Sequence, residues 1–146
     1  MKVYIASSWK NEQLVLNLAK LLREDGKQEV YCFAEMDEGQ HHFNWPDVLD
    51  VEKEDGISAL ITDDSIKAYN SDKWSLDWAN CCLLVLPCGR DAHLEAGYIK
   101  GKGGKLYIIG HFPKGEFSNM YHLANRLYKW EGLPRMISYM RNCEGA

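Results

Sequence analysis

The chain has 146 residues, of which 46% are hydrophobic and 26% charged, with a net charge of −4. That size suits one domain spanning residues 1–146, and the composition excludes a disordered tail, a collagen-like repeat and a Pro/Gly linker. The acidic balance argues against a nucleic-acid polymer as partner, since that needs a surplus of Lys and Arg. The excess is aromatic, with 5 Trp, 8 Tyr and 4 Phe.

In chain order, residues 2–6 form a short apolar run that ends at Ser7-Ser8. From Asn11 to about Asp25, Leu14, Leu18, Leu21 and Leu22 recur at helical spacing, and Asp25-Gly26 supplies a stop. Gln28 to Ala34 reads as a second strand, so the chain opens as a parallel strand–helix–strand unit. The stretch from Glu35 to about Gly56 is polar and aperiodic and carries His41-His42-Phe43-Asn44-Trp45-Pro46, which marks a lid or binding loop. Helical pattern returns over Ile57–Tyr69 and again over Trp74–Ala79. Cys81–Leu86 is apolar on both faces, as in the centre of a covered parallel sheet, and Pro87 closes it. Residues 92–100 read as a helix, Gly101–Gly104 as its break and Leu106–Ile109 as a strand. Amphipathic segments follow at about 118–130 and 134–142. Alternating strands and helices predict a doubly wound α/β domain with a central parallel sheet. Ligands then sit beyond the carboxyl ends of the strands, at Ser7–Asn11, Ala34–Trp45 and Pro87–Glu95.

The five cysteines (32, 81, 82, 88 and 143) contain no Cys-x-x-Cys pair, which excludes a zinc ribbon or a thioredoxin-type motif. The start at Met1-Lys2 has no leader pattern, so a reducing cytoplasm with free thiols is expected. No apolar stretch approaches the ~20 residues of a membrane helix, so no membrane partner is expected. Gly101-Lys102-Gly103-Gly104-Lys105 lacks phosphate-loop spacing and precedes a strand, so it reads as an ordinary turn. His41, His42, His93, His111 and His122 form no helical His pair, and neither a metal nor a cofactor is expected.

The segment from Pro87 to Tyr98 concentrates chemistry where the buried strand ends. Gly89 allows a tight turn or close approach to a ligand, and Arg90, Asp91, His93 and Glu95 fall within six positions. Asp91 is explained as a helix cap. Glu95, followed by the small Ala96 and Gly97, is left open between a helix-terminal charge and a functional carboxylate.

This run resembles the nucleoside 2-deoxyribosyltransferase family and its relatives that hydrolyse deoxynucleoside monophosphates. Glu95-Ala96-Gly97 is similar to the family's Glu-x-Gly element, and Lys2–Ser7 to its first strand and substrate loop. Asp72 falls where the family places an essential aspartate, with Asp77 a second choice. Asn119-Met120-Tyr121 resembles a late segment that crosses a dimer interface in the transferases. The likeness covers most of the chain loosely and residues 72–98 specifically. Asn80 departs from it, standing where many relatives carry Asp, as does Tyr121 in place of an interface methionine.

The resemblance implies a flavodoxin-like domain, a homodimer or higher homo-oligomer, and cleavage or transfer at the N-glycosidic bond of a deoxynucleoside or its monophosphate. Glu95 is then the nucleophile. Asp72 is the general acid, or else a helix N-cap before Lys73-Trp74. Ser7 and Ser8 offer donors to sugar or phosphate, and Trp9, Phe43 and Trp45 either stack on a base or pack. Gly89, Arg90 and His93 would contact a 5′-phosphate, or only cap and pair locally. Asn119 joins the substrate site, and Tyr121, Tyr128 and Trp130 mark an interface. Two other readings stay open: a non-catalytic nucleotide-binding module, and a TIR-like NAD glycohydrolase.

Overall fold

The structure, a computed structural model, describes residues 1–35 and 43–143. The chain forms two compact units, one of Met1–Glu35 with Leu76–Ala146 and the other of Met36–Ser75.

The first unit is built on five strands: β1 (Lys2–Ala6), β2 (Glu29–Cys32), β3 (Cys81–Leu86), β4 (Lys105–Gly110) and β5 (Arg126–Tyr128). All pairings are parallel and the order is β2-β1-β3-β4-β5, the flavodoxin-like arrangement. Strand residues alternate between two cores. Val3, Ile5, Leu83, Val85, Tyr107 and Ile109 pack against helices α1 (Glu12–Glu24) and α6 (Leu133–Asn142). Tyr4, Ala6, Cys82, Leu84, Leu86 and Ile108 pack under α5 (Arg90–Gly101) and the end of α4 (Asp63–Trp78). Both faces of β3 are therefore covered, which explains its unbroken apolar run. In α1, Val15, Leu18, Ala19 and Leu22 supply the buried stripe. All five cysteines are free thiols, and Cys81 and Cys82 lie in the core.

In the second unit, α2 (Trp45–Val48), α3 (Gly56–Leu60) and the first part of α4 are described. The expected loop therefore holds a short helix, opened by Asn44 with Pro46 in its first turn. The helical break falls at Ile61–Thr62 and not at residues 70–73. Thr62 Oγ1 accepts from Ser65 N–H at 3.3 Å and starts α4, while 70–73 contain neither Gly nor Pro to stop it. Asp72 is thus an exposed residue inside α4, and its N-cap reading fails.

Residues 118–130 are not a helix. They form a 3-10 turn (Asn119–Leu123), strand β5 and a second 3-10 turn (Trp130–Gly132). Asn125 causes the change. Its Oδ1 accepts from Leu106 N–H and Lys100 Nζ, both at 2.9 Å, and its own N–H donates to Leu106 O, which sets the chain beside β4. Tyr128 is consequently core and not interface. Among the described residues no helix is long and apolar enough to cross a membrane.

Candidate active site

In this strand order the winding across the sheet reverses between β1 and β3, so the loops after those two parallel strands frame the crevice. Side chains tie the loops together. Ser7 Oγ donates to Val85 O, and Asn11 Nδ2 donates to both Ser7 Oγ and Pro87 O, each at 2.9 Å. Ser8 Oγ accepts from Lys10 N–H and caps the 3-10 turn Trp9–Asn11. Trp9 is partly exposed and meets the edge of Phe33 at 4.9 Å.

Glu95 lies on α5, facing β1. The hydroxyl of Tyr4 donates to its Oε2. Tyr4 is 2% exposed and stacks on Tyr31 of β2 at 5.0 Å, so the donor is held from two sides. Burial raises the Glu95 carboxyl from 4.5 to about 7, so near neutrality it exists in both protonation states. Among the described residues no hydrogen bond engages Oε1. One oxygen is oriented and the other is available.

Residues 93 and 95 point about 200° apart around a helix. His93 accordingly faces the chain after β4. Its Nδ1 is 2.7 Å from Gly89 O and its Nε2 is 2.9 Å from Tyr121 Oη. A carbonyl only accepts, so Nδ1 carries the proton and Nε2 accepts from Tyr121. The two rings also stack at 5.8 Å. His93 therefore pairs locally and latches the Tyr121 segment to α5. An open depression of about 600 Å³ beside it is lined by Cys88, Gly89, Arg90, His93 and Leu94. Burial raises the Cys88 thiol to about 11, leaving it a neutral wall.

Gly89, not Asp91, is the N-cap of α5, and Asp91 falls in the first turn. Gly89 is extended, with open space where a Cβ would stand, so the turn itself does not require glycine. Ala96 is small because it packs under the sheet, whereas Gly97 is exposed. Asp77 accepts from the Tyr98 hydroxyl, and its carbonyl takes Lys102 Nζ at 2.7 Å, which joins the end of α4 to α5. Asn119 is exposed at the start of its 3-10 turn. Phe43 and Trp45 meet edge to face at 4.8 Å in the second unit, to which Asp72 also belongs. His41 and His42 lie outside the described residues. Among the described residues no three His, Cys, Asp or Glu side chains stand together as metal ligands.

Tyr4 was absent from the sequence-derived site residues. The available signal was a tyrosine on a buried strand, because a buried hydroxyl requires a partner.

No family model matches the chain, and no curated protein matches it. Among solved structures it is similar to BcmB, a CMP N-glycosidase of Clostridium botulinum. That match has 14% identity and a TM-score of 0.52, covering 96% of this chain and 98% of the other. It is also similar to the IL-17 receptor B SEFIR domain at 12% identity and TM-score 0.50, covering 97% and 95%. At these identities the likeness establishes the fold, which carries both an enzyme and a receptor domain.

Proposed function

We propose that the protein cleaves or transfers the N-glycosidic bond of 2′-deoxynucleosides or their 5′-monophosphates, with Glu95 as nucleophile. One observation carries this reading: a carboxylate on α5 facing β1, held through one oxygen by a buried tyrosine, with no hydrogen bond to the other among the described residues. The fold it shares with a CMP N-glycosidase supports the same reaction class.

As the C1′–N bond lengthens, positive charge grows on the sugar. The free oxygen of Glu95 then bonds to C1′, and the bond pair leaves with the base. The departing base takes its proton from solvent water. Water or a second base attacks C1′ and releases Glu95. Lack of a 2′-hydroxyl eases cation formation, which favours deoxyribose. Because His93 pairs locally, Arg90 is the group we assign to a 5′-phosphate.

The test is chromatographic detection of free base from a panel of deoxynucleosides, deoxynucleoside monophosphates and NAD, with mass spectrometry of the protein. Base release with a deoxyribosyl adduct on Glu95 is expected. Nicotinamide release from NAD alone would replace this reading with a NAD glycohydrolase, and tight binding without any product would replace it with a binding module.

Tyr4 sets a further expectation. Tyr4→Phe removes the donor that favours the ionised carboxylate, so kcat is expected to fall about 10- to 100-fold. Since the nucleophile must be ionised, activity rises with pH through about 7 in the native protein. In the variant that midpoint moves to higher pH. An unmoved pH profile would show that the hydroxyl does not govern the carboxylate.

A further inference from the structure

β5 is an edge of the sheet, and α6 follows it in the chain. Leu106 turns its N–H and C=O toward β5, where Asn125 meets both, and alternation brings Ile108 round the same way. Leu127, paired with Ile108, therefore turns its own N–H and C=O outward, while the main chains of Arg126 and Tyr128 bond to β4. The side chains of Arg126 and Tyr128 lie together on the α6 face. Tyr128 enters the core there, and the Arg126 guanidinium sits 4.0 Å over the Tyr139 ring.

A cleft of about 750 Å³ opens where β5 ends and α6 begins, and its lining includes Arg126, Leu127, Tyr128, Lys129, Glu131 and Arg135. Three cations thus stand against one carboxylate, and among the described residues none of the three forms an ion pair. The start of α6 adds the positive end of a helix dipole. Tyr128 is 8% exposed, yet its hydroxyl makes no hydrogen bond among the described residues. No polar side-chain atom sealed among them lacks a partner, so this hydroxyl opens outward, into the cleft that its residue lines. The charges of Arg126 and Arg135 both act on it. A buried ring therefore presents a vacant donor within reach of two guanidinium groups.

We propose that this cleft binds a phosphate monoester of a small hydroxylated molecule, with the phosphoryl group on the Tyr128 hydroxyl, Arg126 and Arg135. Three cations against Glu131 leave a surplus of positive charge that complements a phosphate dianion. The cleft has the volume of a small-molecule site, far more than a phosphate ion fills, and the Leu127 carbonyl and Glu131 carboxylate are acceptors for hydroxyl groups. The site is separate from Glu95, which lies on the α5 face of the sheet.

The experiment is isothermal titration calorimetry of glucose 6-phosphate into the full chain, with glucose and inorganic phosphate as controls. Saturable one-to-one binding of the ester is expected, about tenfold tighter than phosphate, with no binding of glucose. Tyr128→Phe should weaken it about tenfold. The melting curve of that variant stays native, because the hydroxyl it removes has no partner among the described residues. Lys129→Glu/Arg135→Glu should abolish binding and also keep a native melting curve, since both side chains are exposed. Arg90→Ala, at the depression beside α5, should leave binding unchanged. Four results would each overturn the proposal: no saturable binding of the ester, equal affinity for inorganic phosphate, unchanged affinity in either natively folded cleft variant, or loss of binding in Arg90→Ala. None of these readouts depends on the reaction assigned to Glu95.

Discussion

Glu95→Gln is expected to abolish base release, lowering kcat on the order of 10³-fold or more while the fold is retained. Gln has the shape of Glu and still accepts from Tyr4, so the loss isolates the nucleophilic oxygen. The same change is expected to stabilise the protein. Because burial raises the carboxyl from 4.5 to about 7, the folded state binds more protons than the unfolded state between those values. Native stability is therefore undiminished by this group below about pH 4.5. It declines as pH rises through about 7 and carries the full penalty above that. Removing the charge lifts stability at pH 8 by up to about 3 kcal/mol, a gap that closes toward pH 4.5. Paired melting curves of native protein and variant at pH 4.5 and pH 8 check this beside the base-release assay. Full turnover in the variant would remove Glu95 as nucleophile, and an equal melting difference at both pH values would remove the burial argument. Loss of activity with a gain of stability is the signature of a functional carboxylate.

The alternating strands and helices were legible because the sheet is covered on both faces. Cys81–Leu86 reads as buried since no residue in it meets water, and Leu14, Leu18, Leu21 and Leu22 betray one helical stripe. Strand β5 was not legible, because three residues with one buried side chain, Tyr128, show no period. Its position depends on Asn125 answering Leu106 across 19 residues. The start of α4 at Thr62 was hidden in the same way, by a cap that looks like any polar loop residue. Around the candidate site, Glu95 stood out beside a buried strand, but its partner did not. Tyr4 lies 91 residues away, and only the parallel pairing of β1 with β3 brings the two together.

That pairing depends on how β3 and β4 end, and Gly110→Ala is expected to show it. Gly110 has φ +133, a region L side chains rarely adopt. A Cβ there would stand 2.3 Å from Leu86 O and 3.0 Å from Leu86 N. These are main-chain atoms of the facing strand residue, so neither can swing aside. Conformational strain and the clash together are expected to cost about 3 kcal/mol or more. Leu86 also leads directly into Pro87, whose carbonyl Asn11 grips, so a splayed strand end disturbs the loops that frame Glu95. Denaturant melts of Gly110→Ala should therefore give a much lower midpoint, with base release reduced in whatever protein folds. Gly97→Ala is the matched control, because a Cβ there meets nothing within 4 Å and a helical position gains from alanine. If the two variants melt alike, the close approach of Gly110 to Leu86 does not hold the strand ends together.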